Sequence, residues 1–173
     1  MFFMKTGSAA PPPAPKRFET LLLDGGTTID LTSGLTITGS ANDETLTASS
    51  HNDTLIGKTG NDSLHGGTGD DDYVWYPGDG NDEIHETGGL DHLVIHNTVI
   101  DNLRFIEHGS FDLRVYIKDE YITLKNQQRS DAQGIHTYIY DKVETLLLDD
   151  GTTIDLTGGL TFTGTAGDDR LTA

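Results

Sequence analysis

The chain has 173 residues, seven histidines, no cysteine, and a formal charge of −17 from 28 acids against 11 lysines and arginines. This excludes a disulfide framework and a thiolate metal site, and the lack of a basic patch with interleaved aromatics argues against a nucleic-acid partner. No stretch approaches the roughly 18 apolar residues of a membrane-spanning helix. In chain order, residues 1–18 hold four of the five prolines and read as an extended, tag-like linker; Met1-Phe2-Phe3-Met4 is too short for a signal-peptide apolar region.

Residues 19–38 are expected to be a β segment that opens a long repeat. Residues 19–48 read ETLLLDGGTTIDLTSGLTITGSANDETLTA and residues 144–173 read ETLLLDDGTTIDLTGGLTFTGTAGDDRLTA, 23 of 30 places matching at an offset of 125. One whole period, 19–143, is followed by the opening of the next. The chain is therefore expected to be a piece of a larger tandem-repeat protein, with 19–38 ending a preceding unit.

Residues 39–95 carry the strongest pattern. Gly66-Gly67-Thr68-Gly69-Asp70-Asp71-Asp72-Tyr73-Val74 is a complete G-G-x-G-x-D-x-U-x nonapeptide, with Tyr73 as the large apolar residue U. The same register puts Glu44, Asp53, Asp62, Asp71, Asp82 and Asp91 in sixth place, at steps of 9, 9, 9, 11 and 9. The long step falls at Trp75-Tyr76, read as a two-residue insertion. Between 36 and 95 twelve acids face one base, Lys58, so most of the net charge sits in this ladder. Left without counter-ions, such carboxylates repel one another and oppose compaction.

The spacing has a chemical reading. Each row predicts a glycine-rich turn followed by a short strand, because glycine admits positive φ and exposes its carbonyl. Two rows make one coil, so turns 18 residues apart stack on one side. The eighth-place residues Leu46, Leu55, Leu64, Tyr73, Ile84 and Leu93 then point inward as a thin core. Calcium takes six to eight hard oxygens at about 2.3–2.6 Å. One turn offers two carbonyls and a carboxylate, and two stacked turns complete a shell.

Residues 96–163 are β-rich with no convincing helix. Leu113, Val115 and Ile117 alternate onto one face, Ile122 and Leu124 follow, 135–140 and 143–148 are rich in β-formers, and Asp149-Asp150-Gly151 marks a turn before 152–156. Residues 164–173 form the first row of a new ladder, with Asp169 in sixth place. That row is expected to fray or to dock head to tail on another molecule.

The ladder, over about 39–94, resembles the RTX (haemolysin-type calcium-binding) family, and 102–157 is similar, more loosely, to the small β domain that accompanies such ladders. The resemblance implies an all-β fold: a parallel β-roll with two nonapeptides per coil, flanked by a small antiparallel β capping domain. It implies calcium sites built from carbonyls of places two and four and the aspartate of one turn, with carbonyls of places one and three and the aspartate of the turn two rows later. Carried over, one site is Ser49, His51 and Asp53 with Gly66, Thr68 and Asp71. A second is Lys58, Gly60 and Asp62 with Pro77, Asp79 and Asp82. A third is Gly67, Gly69 and Asp71 with Glu86, Gly88 and Asp91, and a fourth pairs Glu44 with Asp62. The chain departs from the family pattern at Glu44, longer than aspartate, at Asn42 and His51 in glycine places, and in the 20-residue pairings. The implied role is a non-enzymatic module of a large secreted protein that folds on calcium after type I secretion and serves as a structural or extender unit. Its partners are calcium and neighbouring repeats of the same parent. The alternative is a calcium-dependent carbohydrate-binding or adhesion module with a glycan partner.

Other chemistry fits less well. His65 and His85 share the ninth place and are candidates to stack with His92 near them, but exposed turn histidines outweigh a transition-metal site. His85-Glu86 lacks the second histidine of H-E-x-x-H, with Gly89 in its place. The register assigns Asp71 of Asp70-Asp71-Asp72 to calcium rather than to a catalytic dyad. Trp75 and Tyr76 are expected to pack on the roll more than to stack on a sugar. Two outward threonines, Thr59 and Thr68, are too few for an ice-binding array.

Overall fold

A computed structural model describes residues 20–22, 28–30, 32–109, 111–127 and 142–157. The linker 1–18, the strand expected at 135–140 and the row 164–173 lie outside the described residues. The chain divides into two units, 1–32 and 33–173. In the first, β1 (Thr20–Leu22) and β2 (Thr28–Asp30) form an antiparallel hairpin with Leu21 opposite Ile29.

The second unit is all-β among its described residues, apart from one 3-10 turn at Ile100–Asn102. Rows of nine leave room for strands of only a few residues, and successive rows alternate between two sheets. One sheet takes β3 (Thr36–Thr38), β5 (Thr54–Ile56), β7 (Asp72–Trp75) and β9 (Asp91–Ile95) in parallel. The other takes β4 (Thr45–Thr47), β6 (Ser63–Thr68) and β8 (Asp82–Gly88), also parallel. Ile37, Leu55, Tyr73 and Leu93 pair in line across the first sheet, and Leu46, Leu64 and Ile84 across the second. Of these, Leu55, Leu64, Tyr73, Ile84 and Leu93 are buried, while Leu46 packs on the core from a half-exposed position.

The 11-residue step has a local origin. Val74 still lies opposite Ile56, 18 residues back, but Gly80 meets the carbonyl of Gly60, 20 residues back. The two extra residues therefore enter between Val74 and Gly80. Trp75 extends β7 opposite Ile95 and is buried, so it belongs to the core. Tyr76 stays exposed and stacks on His96 with ring centroids 4.7 Å apart.

Residues after the ladder add to the same two sheets. β10 (Leu103–His108), β11 (Asp112–Ile117) and β12 (Glu120–Leu124) are antiparallel, and β12 then pairs in parallel with β8, Ile122 opposite Asp82. β13 (Val143–Leu148) pairs in parallel with β9 and turns back as β14 (Thr153–Asp155). Val115, Ile122, Leu124 and Leu146 thus join the ladder residues in one hydrophobic cluster. Leu146 faces Ile154 as Leu21 faces Ile29, so the two copies of the 125-residue repeat form hairpins in the same register.

Candidate metal centre

Turns of the nonapeptides stack in two columns, each threaded by side-chain hydrogen bonds. In the first column the backbone N–H of Leu35 donates to Asp53 Oδ1 at 2.6 Å, Asp53 to Asp71 Oδ1 at 2.7 Å, and Asp71 to Asp91 Oδ1 at 2.8 Å. In the second, Glu44 donates to Asp62 Oδ1 and Asp62 to Asp82 Oδ1, both at 2.8 Å. Among the described residues, every sixth-place aspartate therefore spends one carboxylate oxygen on closing the turn beneath it. Fifth-place residues run a second ladder the other way. The N–H groups of Asn61, Asn81 and Tyr121 donate to Asp43, Asn61 and Asn81, and those of Asp70 and Leu90 donate to Asn52 and Asp70.

The other carboxylate oxygens are the chemically telling ones. Asp62 Oδ2, Asp71 Oδ2 and Asp91 Oδ2 are buried and have no hydrogen-bond partner. A buried carboxylate oxygen without a partner is costly and is satisfied by a donor or a cation. Space is kept for these atoms: a Cβ on Gly57 would lie 2.5 Å from Asp62 Oδ2, and one on Gly66 2.5 Å from Asp71 Oδ2. Such a set of hard anionic oxygens in a close frame fits calcium and offers nothing to a soft metal.

Glu86 adds a third carboxylate to the first column. β8 alternates from Asp82 to Glu86, and Glu86 points inward and is buried. The Tyr73 hydroxyl donates to Glu86 Oε1, and the Thr87 N–H donates to Oε2 at 3.0 Å. One oxygen each of Asp71, Glu86 and Asp91 lies within 4.8 Å of the others. Burial, then the neighbouring carboxylates, raises the Asp71 pKa to about 6 and the Asp82 pKa to about 7. Burial and Asp91 push Glu86 far above the usual carboxylate range, and burial also raises Asp91 and Asp62. Backbone N–H donors resist these shifts by favouring the anion, and at Asp91 a hydrogen bond from the Glu86 carboxyl and the nearby His92 resist as well.

The expected carbonyl donors sit in the same turns. The carbonyls of Ser49, His51, Gly60 and Gly69 face Gly67, Gly69, Gly80 and Gly89 of the turn above, where a Cβ would collide with them. Gly69 and Gly89 meet that demand at φ 126° and 152°. Asp79 and Gly88 carbonyls accept N–H bonds from Gly60 and Gly69 at 2.9 and 3.0 Å, and Gly67 accepts one from the Thr87 hydroxyl at 2.5 Å. Each retains a second lone pair. Lys58 holds the second place at φ 67°, a left-handed conformation unusual for its side chain. Gly66, Thr68 and Pro77 lie in the upper turns of their pairs. At the base of the columns the carboxylates are already engaged. Asp53 Oδ2 accepts from the Ser49 N–H and hydroxyl at 2.7 and 2.8 Å, and Glu44 accepts from the Ser40 N–H and hydroxyl at 2.5 and 2.9 Å.

Two features differ from the sequence reading. His65 and His85 do stack, with centroids 4.4 Å apart, but His92 belongs to the other sheet and bonds Asp72 at 2.9 Å. A carboxylate outside the nonapeptides also enters the column: the Asp91 N–H donates to Glu144 Oε2 at 2.7 Å. The β13–β9 register slips between Val143 and Thr145, and this bulge turns Glu144 inward beside buried Val143. Glu144 lies 53 residues past Asp91, so no spacing rule reaches it. The only signal was its identity with Glu19 in the long repeat.

Compared with known proteins, residues 47–74 match the RTX calcium-binding nonapeptide repeat in four copies. No curated protein matches the chain.

Proposed function

Because residues 47–74 are RTX calcium-binding nonapeptide repeats, we propose that residues 39–95 fold as a β-roll on taking up calcium and act as a non-enzymatic structural or extender unit of a larger secreted protein. The observation that carries this reading is the set of buried, unpartnered oxygens on Asp62, Asp71 and Asp91. Calcium would be held between Asp53 and Asp71, between Asp62 and Asp82, and between Asp71 and Asp91, with carbonyls of the flanking turns. Both Asp53 and Glu44 have their two oxygens engaged, so calcium there would displace the Ser49 or Ser40 bonds; Glu44 with Asp62 is the weakest pair, since Glu44 is longer than aspartate and only half-buried.

The chain's own residues explain why ion and fold are coupled. The roll forces carboxylates into a common column, and their raised pKa values record how unfavourable that is without a cation. A cation that binds the folded turns and not the open chain shifts the equilibrium toward the fold. In a low-calcium cytosol the ladder stays open, which suits export through a type I system, and it closes outside. Thermal melting in calcium and in magnesium tests this. Calcium is expected to raise Tm progressively with concentration, whereas magnesium, which demands shorter octahedral geometry, has little effect. Equal melting in calcium, magnesium and chelator contradicts the proposal.

A further inference from the structure

Among the rows, the first place is held by Gly39, Ala48, Gly57, Gly66, Pro77 and Glu86, so only the last brings a side-chain donor there. From this we infer that Asp71, Glu86 and Asp91 form a three-carboxylate centre in which Glu86 binds the cation through its side chain, making this the tightest of the calcium sites. The inference rests on the proposed calcium role and adds a ligand that the nonapeptide pattern does not contain.

Four observations converge on it. The three carboxylates approach within 4.8 Å and all are buried. Asp71 and Asp91 are fully buried, yet each leaves Oδ2 without a partner. Glu86 is held from both sides, Oε1 by the Tyr73 hydroxyl and Oε2 by the Thr87 N–H, so its carboxylate is set in place rather than free to swing to solvent. Gly66 lies beneath: a Cβ there would collide with the Tyr73 hydroxyl and Glu86 Oε1 and come 2.5 Å from Asp71 Oδ2. The absent side chain of one row makes room for the acidic side chain of the next coil.

Ligand charge governs calcium affinity in oxygen sites. Three formal negative charges hold a divalent ion more strongly than the two aspartates of the other pairs, and hold a trivalent lanthanide more strongly still. The neighbouring tyrosine makes the centre observable, because terbium bound next to an aromatic ring emits when that ring is excited.

The test uses the whole chain and Glu86→Gln. Glutamine keeps the length and one oxygen to accept from Tyr73, but it removes the charge and sets an amide donor against the Thr87 N–H, so Glu86→Asp, which keeps the charge, is the control that separates a ligand from a structural role. Calcium titration by calorimetry is expected to show one step weakened at least about tenfold in the variant, with the remaining steps intact. Terbium emission excited through the aromatic band is expected to fall in Glu86→Gln and to recover in part in Glu86→Asp. Calcium isotherms and terbium emission in Glu86→Gln that match those of the parent overturn the inference while leaving the calcium role standing. A parent chain that takes up no calcium overturns both. Should Glu86→Gln not fold, Tyr73→Phe decides: it frees the carboxylate from its strut and also removes the sensitising tyrosine, so terbium affinity is read by calorimetry and is expected to drop, and an unchanged affinity counts against the centre.

Discussion

The turn column through Asp53, Asp71 and Asp91 ends on Glu144, whereas the column through Glu44, Asp62 and Asp82 ends against Ile122 of β12. Both are built on one nonapeptide frame with the same N–H to carboxylate bond. They differ in buried charge. The first encloses Glu86 and Glu144 beside its three aspartates, all at most 7 % exposed. The second begins on a half-buried Glu44 and adds Asp79 at its rim. The frame sets the spacing of the carboxylates, and residues outside the motif set how many are driven together. The first column should therefore depend more strongly on a cation.

Substitution at the centre of the first column is the largest test of that contrast. Asp71→Ala removes an aspartate shared by two proposed sites and leaves the Asp53 N–H buried and unpaired, a loss of about 1–3 kcal/mol before any ion is counted. It is expected to cost two calcium steps in calorimetry, against one for Asp91→Ala. Equal losses from the two would show that Asp71 is not shared.

Packing differs between the columns by a smaller margin. Gly66→Ala drives a Cβ into Tyr73, Glu86 and Asp71, whereas Gly57→Ala meets the Asp62 carboxylate alone. In calcium, overpacking is expected to cost Gly66→Ala about 2–3 kcal/mol and Gly57→Ala about 1 kcal/mol. Denaturant midpoints would rank them, and the reverse order would mean that the first column is the looser one.

The closing residue is next. Glu144→Ala strips the acceptor from the buried Asp91 N–H and is expected to cost about 1–2 kcal/mol, while Glu144→Gln keeps an acceptor and costs less than half of that. Glutamine as damaging as alanine would show that the charge, not the hydrogen bond, closes the column.

The smallest expected effect is one of pH in chelator. Asp71 and Asp82 have folded pKa values raised by burial to about 6 and about 7, above the unfolded range near 4. Their folded forms favour the proton, so this stabilisation is full below about pH 4 and disappears as pH rises through about 6–7. Calcium-free chain is expected to retain more β-structure at pH 4 than at pH 8 by circular dichroism. More structure at pH 8 would reverse the sign and remove repulsion as the obstacle to folding.

Much of this was legible in the sequence because the pattern is backbone-driven. Glycine places and sixth-place acids declare the turns, and eighth-place Leu55, Leu64, Tyr73, Ile84 and Leu93 declare the core. The fifth-place ladder was missed because Asn and Asp there read as ordinary turn residues. The nonapeptide pattern makes Glu86 a carbonyl donor; its inward side chain follows from the alternation of β8, which runs three residues past the nonapeptide strand. Glu144 depends on a bulge and on parallel pairing across 53 residues, and neither leaves a local mark. The 11-residue step marks Trp75 and Tyr76 alike as an insertion, but β7 continues through Trp75 and only Tyr76 leaves the core.

Circular dichroism of the whole chain, titrated with calcium from a chelated start at neutral pH, tests the coupling of ion and fold most directly. The expected result is a ladder largely without β-structure in chelator and a cooperative gain of β-signal as calcium is added, complete only when the stacked carboxylates are neutralised. A spectrum indifferent to calcium, with full β-signal in chelator, would contradict it.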